Sequence, residues 1–176
     1  MATFVLGDTH FGNKHIMYEE ARQGFGNIDN HDATIKDRIV TTCGKGDTLF
    51  LMGDIVEYPD RLWLLKEICE KVGTVNIVLG NHDGLYNGGD HPTTKQLFEC
   101  GVNEVYGMFR YRAATLTHVP RHACGWHRFE KVNVHGHFHE GGYFGDQYLN
   151  VAGNVRNFWP LNLDEWLDTN DIHRAN

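Results

Sequence analysis

VNIVLGNHD, residues 75–83, is a run of β-branched and apolar side chains that stops at a glycine and ends in three polar groups. A short apolar run bounded this way reads as a buried strand, and Gly80-Asn81-His82-Asp83 as its tip. Two other stretches follow the same plan: TLFLMGD (48–54) ends in Gly53-Asp54, and TFVLGDTH (3–10) ends in Asp8-x-His10. Helical patterns lie between them. In 30–42, Ile35 and Ile39 with Val40 recur at helical spacing, and in 60–72 Leu62, Leu65, Ile68 and Cys69, with Val72, form an apolar stripe. Strand, helix, strand, helix, strand is the order of a parallel α/β layer.

Beyond this layer the texture changes. TTKQLFE (93–99) reads as a short helix opened by Thr93 or Thr94. Segments 104–111, 113–119, 131–137 and 147–155 then follow one another with only loops between, which predicts a second run of strands. LDEWLDTN (163–170) reads as one helical turn or more, and the glycine-rich patches 84–89 and 141–145 as loops beside a site. No internal repeat or linker interrupts the chain, so one domain spanning 1–176 is expected.

A 176-residue chain with 41% hydrophobic content is long enough to bury a core. The net charge of -7 argues against a broad grip on long duplex nucleic acid, which requires a basic face. Cys43, Cys69, Cys100 and Cys124 stand singly and read as free buried thiols of a reducing compartment. The start MATFVLGD has no signal-peptide pattern and no stretch approaches a membrane span. A cytoplasmic protein with no membrane partner is expected.

Open parallel sheets bind ligands outside the carboxyl ends of their strands, so the three polar tips should converge. Each tip alone is ordinary, since Asp and Asn are common in turns and caps. Their joint occurrence with His118 in LTHVP and with VNVHGHFHEGG (132–142) is not. If that last stretch stays extended, His135, His137 and His139 share one face. It is then either a polar strand edge or a ligand array. Asp8, His10, Asp54, Asn81, His118, His137 and His139 offer oxygen and nitrogen donors without a thiolate, a set suited to Zn, Mn, Fe or Ni. Seven donors exceed one tetrahedral site but suit two divalent ions sharing a carboxylate, a device for displacement at phosphorus.

The ordered series D-x-H, G-D, G-N-H-D, a lone His before Pro and G-H-x-H, spanning residues 6 to 139, resembles the calcineurin-like metallophosphoesterase superfamily. LGDTHFGNKHI and the pairing of LTHVP with VHGHFH resemble its small single-domain prokaryotic and phage-type members, as does the tail NVRNFWPLNLDEW. The resemblance implies an αββα sandwich of two mixed sheets. It also implies that Asp8, His10, Asp54 and His139 hold one ion, that Asp54 bridges, and that Asn81, His118 and His137 complete the second. The two ions would be Mn2+, with Fe, Zn, Ni or Co as substitutes, and a hydroxide bridging them the nucleophile. His82 would bind a phosphoryl oxygen beside Asn81 or protonate the leaving group, with Asp83 orienting its ring.

Some residues fall outside this pattern. Lys14 and Arg22 read as solvated charges, and His135 as packed behind the ligands. The Ile-Val-Glu-Tyr-Pro run after Asp54 lacks the Arg-bearing continuation of phosphoprotein phosphatases, which disfavours that activity. Arg121, His122 and His127 lie in a loop suited to a substrate's far end, Arg121 being the candidate contact. Trp63 reads as core or its rim, and Trp126, Trp159 and Trp166 as packing residues. His15, His31, His91 and His173 read as surface. The expected activity is hydrolysis of a small or nucleotide-derived phosphodiester, or of a monoester. The alternatives are a nuclease for single-stranded or terminal nucleic acid and a non-catalytic interaction module.

Overall fold

The computed structural model describes residues 1–84, 91–141 and 144–172. Strands β1 (Thr3–Leu6), β2 (Thr48–Leu51), β3 (Thr74–Val78) and β4 (Glu104–Tyr106) run parallel in the order β4-β3-β2-β1. Strand β9 (Leu161–Asn162) closes the β1 edge antiparallel. A second sheet, in the order β5-β6-β7-β8, is built from Phe109–Tyr111, Ala114–Leu116, Val132–His135 and Tyr148–Asn150, with β5 antiparallel to β6 and the rest parallel. Both sheets are mixed, as expected. Predicted strand bounds were generous because each apolar run continues into a tip that leaves the ladder.

Side chains alternate across the first sheet and so feed two cores. Leu6, Leu49, Leu51, Val75 and Ile77 face a cluster with Ile35 and Ile39 of α2 (Ile28–Thr42), Leu64, Leu65 and Ile68 of α3 (Leu62–Lys71) and Leu97 of α4 (Thr94–Glu99). Val5, Phe50, Met52 and Val78 face the second sheet, meeting Ala114, Leu116, Val132, Val134 and Leu149. The last helix, α5 (Leu163–Thr169), inserts Leu163 and Leu167 into this inter-sheet core. Asn27 caps α2 and Thr93 caps α4, the latter through a reciprocal capping box with Gln96. A short helix α1 (Glu20–Gln23) and a 3-10 turn (Lys14–Tyr18) follow the first tip, where no helix was expected. Neither is long enough to show an apolar period.

The two sheets are stitched together at one end. Asp8 N–H donates to the Gly53 carbonyl and His10 N–H to the Asp54 carbonyl, each at 2.9 Å, which ties the tips of β1 and β2. Gly7 N–H donates to Val151 and Gly153 N–H to Gly7, which ties β1 to the end of β8. Trp63 is half-exposed, at the rim of α3, and Trp126 packs edge-on against Tyr148. Cys43 is buried, but Cys124 is exposed in the loop after β6, so the expectation of four buried thiols fails there. The glycine-rich patches lie mostly, and His173 wholly, outside the described residues.

Candidate metal centre

Asp8, His10, Asp54 and His137 all have positive φ, between 49° and 69°. This left-handed backbone is costly for residues with a Cβ and survives only where surrounding structure enforces it. The chain after β1, β2 and β7 therefore turns sharply and swings a polar side chain inward. The extended reading of 132–142 fails for the same reason. β7 stops at His135, and Gly136 N–H donates to the His118 carbonyl at 2.9 Å instead of continuing the ladder. His135 is fully buried among Phe138, Phe144 and Tyr148, its Nδ1 against the Gly136 carbonyl, so it packs behind the site as expected. A Cβ on Gly136 would collide with the Asp8 carboxylate, and one on Gly80 with that of Asp54. Both glycines are needed for close approach.

The seven expected donors do converge. Asp8, His10 and His139 form one group and Asp54, His118 and His137 another, the ligand atoms within each lying inside 4.8 Å. Asp54 Oδ2 is 3.3 Å from His118 Nε2 and 3.7 Å from His10 Nε2, between the groups. Asn81 joins the second group, its Oδ1 3.0 Å from His118 Nε2.

Three of the rings are oriented by an oxygen at Nδ1. Glu57 sits 3.3 Å from His10 Nδ1, Glu19 2.7 Å from His139 Nδ1, and the Met52 carbonyl 2.9 Å from His118 Nδ1. With Nδ1 donating, each Nε2 presents a lone pair to the centre. His10 Nε2 and His139 Nε2 face each other at 3.3 Å, so a proton or a metal ion has to separate their lone pairs. Asp8 and Asp54 are buried, and among the described residues no Lys or Arg side chain pairs with either. Buried carboxylates among imidazoles call for positive charge, from protons on the rings in the metal-free protein or from metal ions that displace those protons. The residues present therefore fit divalent metal ions.

Glu57 is the residue of this cluster that sequence reasoning passed over. Its second oxygen lies 3.0 Å from His82 Nδ1, so one buried carboxylate grips both a metal-group imidazole and His82. Asp83 does not orient that ring. Its two oxygens accept the N–H groups of Asp54, Ile55 and Gly80 at 2.7 to 2.9 Å, fixing the tips of β2 and β3 to each other. The available signal was that Glu57 is the one acidic side chain in the turn after Asp54. His91, expected at the surface, is largely buried 4.0 Å from Glu57.

A second correction concerns Arg22. It is fully buried, with Nε donating to Glu19 at 2.9 Å, Nη2 to the Asp8 carbonyl at 2.7 Å, and Nη1 2.7 Å from His31 Nε2. His31 is also fully buried rather than at the surface, paired with Asp32, which accepts the Gly12 N–H at 3.0 Å. α1 and α2 thus brace the strained Asp8–His10 turn from behind and hold Glu19 on His139. Lys14 and His15 are exposed, as expected. Arg121 lines a groove beside Asn81 but spends its donors on Glu130 and the Gly125 carbonyl. Glu19→Gln should keep the fold and weaken metal affinity by about 10–100-fold, the usual cost of losing such a partner. Calorimetric titration of the metal checks this, and an unchanged affinity refutes it.

Charge coupling gives a pH signature to the metal-free protein. Burial opposes protonation of His118, but Asp54 outweighs it and the ring is raised to about 9. His139 behaves alike: burial opposes, Asp8 and Glu19 prevail, and the result is again about 9. A raised folded pKa stabilises below the unfolded value near 6.5 and loses that contribution as pH climbs through 9. The melting temperature of chelator-treated protein should therefore fall between pH 6.5 and 9. The metal-loaded protein, whose ligating rings carry no proton on Nε2, should lack this decline. Equal slopes for the two forms would contradict the assignment.

Similarity to known proteins agrees with this geometry. Over 84 residues the chain is 33% identical to the Gene 66 protein of Mycobacterium phage L5, a match covering 47% of this chain and 40% of that protein. The match thus spans less than half of that relative's length. The crystal structure of the protein of unknown function AQ665 from Aquifex aeolicus superposes with a TM-score of 0.68 at 18% identity, covering 96% of this chain and 98% of that one, a likeness of fold. The family model for calcineurin-like phosphoesterases matches residues 1–175. That match covers nearly the whole chain, and this chain belongs to the calcineurin-like phosphoesterase family.

Proposed function

We propose that the protein is a dinuclear metal-dependent phosphoesterase that hydrolyses phosphodiester bonds, and secondarily monoesters, of small or nucleotide-derived substrates. The observation that carries this reading is the pair of donor groups set about Asp8 and Asp54, with His82 beside them on Glu57. Asp8, His10 and His139 would hold one ion, Asn81, His118 and His137 the other, and Asp54 both. When bound, two divalent ions, Mn2+ foremost, supply charge for the phosphoryl oxygens and a water of lowered pKa.

The chain's own groups supply the rest. Asp54 Oδ1 accepts the His82 N–H at 2.7 Å, which fixes the backbone of the Asn81–His82 turn relative to the carboxylate shared by both groups. Burial opposes a proton on His82, but Glu57 overcomes it and the pKa is raised. The imidazolium thus persists to higher pH than an ordinary ring's, the direction that a proton donor to a departing oxygen needs. Glu57 at Nδ1 leaves Nε2 as the donating atom. Ile-Val-Glu-Tyr-Pro follows Asp54 here in place of the Arg-bearing continuation of phosphoprotein phosphatases, which keeps this reading away from phosphoproteins.

The test is reconstitution of chelated protein with Mn2+, Fe2+, Zn2+, Ni2+ or Co2+ and a screen against aryl mono- and diesters, cyclic nucleotides, and short and long single strands. Hydrolysis of small diesters that rises with metal and saturates at two ions per chain is expected. Full activity at one ion, or catalytic efficiency highest on long single strands, would overturn it.

A further inference from the structure

Two grooves open onto the metal centre, and their walls differ in chemistry. The first encloses about 430 Å³ and is floored by Asn81 and His118 of the second donor group. Its walls are Leu79, Gly107, Met108 and Val119. Met108 and Val119 are about half-exposed, at 53% and 48%. Large apolar side chains left uncovered on the wall of a concave site mark an apolar ligand surface. Arg121 ends this groove, and its charge is already compensated by Glu130 at 2.9 Å and by the Gly125 carbonyl. It offers a planar face more than a free cation. The second groove, about 410 Å³, opens at His139 of the first donor group and carries Glu19, Glu20 and Glu140. Glu19 is paired with Arg22 and His139, but Glu20 and Glu140 add two carboxylates beside the phosphoryl site, which repel a further phosphate.

We infer that the groove of Met108 and Val119 seats an uncharged planar ring, a nucleobase or an aryl group, attached to the phosphoryl centre, while the acidic groove excludes substrates bearing additional phosphates. The inference rests on the phosphoesterase reading and narrows it. A linear nucleic-acid strand needs anionic continuation on both sides of the reacting phosphorus, and here one side is acidic and the other apolar. A compact ester with one ring-bearing arm satisfies both walls.

Binding, with any ester consumed during the titration assayed and its heat subtracted, separates this inference from the activity. The Mn2+-loaded full chain is titrated calorimetrically with methyl phosphate, phenyl phosphate, thymidine 5′-phosphate and thymidine 3′,5′-bisphosphate. Phenyl phosphate and thymidine 5′-phosphate should bind about tenfold or more tighter than methyl phosphate, the scale on which apolar pockets discriminate. The bisphosphate should bind more weakly than the monophosphate. Gly107 lines the groove and has room for a side chain, a Cβ there meeting nothing within 4 Å, so Gly107→Leu adds bulk at the groove's edge without a clash. It should bring the phenyl-to-methyl ratio toward one, as should Met108→Glu. A ratio near one in the unaltered protein, a ratio untouched by both substitutions, or tighter binding of the bisphosphate overturns the inference. Ring-selective binding without hydrolysis under any metal would uphold the groove and refute the catalytic proposal.

Discussion

Asp54→Asn is expected to leave the fold intact, reduce bound metal from two ions per chain to at most one, and lower activity by more than about 100-fold. That figure is the upper end of what losing an outer partner costs, and Asp54 stands inside that circle. The substitution is nearly isosteric, so the Asn oxygen still accepts the His82 N–H that Asp54 Oδ1 now accepts at 2.7 Å. The other atom becomes an N–H facing His118 Nε2, where Oδ2 now lies 3.3 Å away. That N–H caps the lone pair the second ion would use, and the negative charge between the two donor groups disappears. By contrast, His10→Ala and Asn81→Ala each touch one group and should mainly weaken one ion. Elemental analysis with activity titration distinguishes these patterns. Retention of two ions and near-normal rates in Asp54→Asn would remove Asp54 from the bridging position.

For His82→Ala the expected loss depends on the leaving group. A positioned general acid contributes about 10²–10⁴-fold where the departing oxygen needs a proton. A ribose alkoxide needs it badly; para-nitrophenolate is stable as an anion. The variant should thus keep both metals and much of its rate on aryl esters while losing two orders of magnitude or more on nucleotide diesters. Glu57→Gln should move in the same direction but less far, because the ring would lose the charge that raises its pKa and keep a hydrogen bond at Nδ1. It should also lower the pH at which activity on nucleotide diesters declines. Equal losses on the two substrate types would make His82 a binding group only. Loss of metal from His82→Ala would make it a ligand, in keeping with the third donor group of His10, Glu57 and His82.

The alternation of apolar runs with helical stripes determined the layer order, because burial of a strand or an amphipathic helix imposes a period that survives in the chain. Leu49, Leu51 and Val75 face the helices and Phe50, Met52 and Val78 face the other sheet, as period two requires. The gathered donors were legible too, since Asp8, Asp54, Asn81 and His137 each directly follow a glycine, and His10, His139 and His118 stand two residues from Asp8, His137 and Pro120. What the chain could not disclose is what each polar side chain faces. Arg22 and His31 look like any surface residues in sequence, yet both are fully buried behind the Asp8 turn. Glu57 and Asp83 are two carboxylates close to the same tips, and only the turn geometry sends the first to the His82 ring and the second to backbone amides. The left-handed backbone at Asp8, His10, Asp54 and His137 is likewise a tertiary product. Local sequence disfavours it, and contacts between strand tips far apart in the chain enforce it. Periodic burial is written locally; the orientation of individual polar groups is settled by partners 25 to 120 residues away, as Glu57 with His82 and Glu19 with His139 demonstrate.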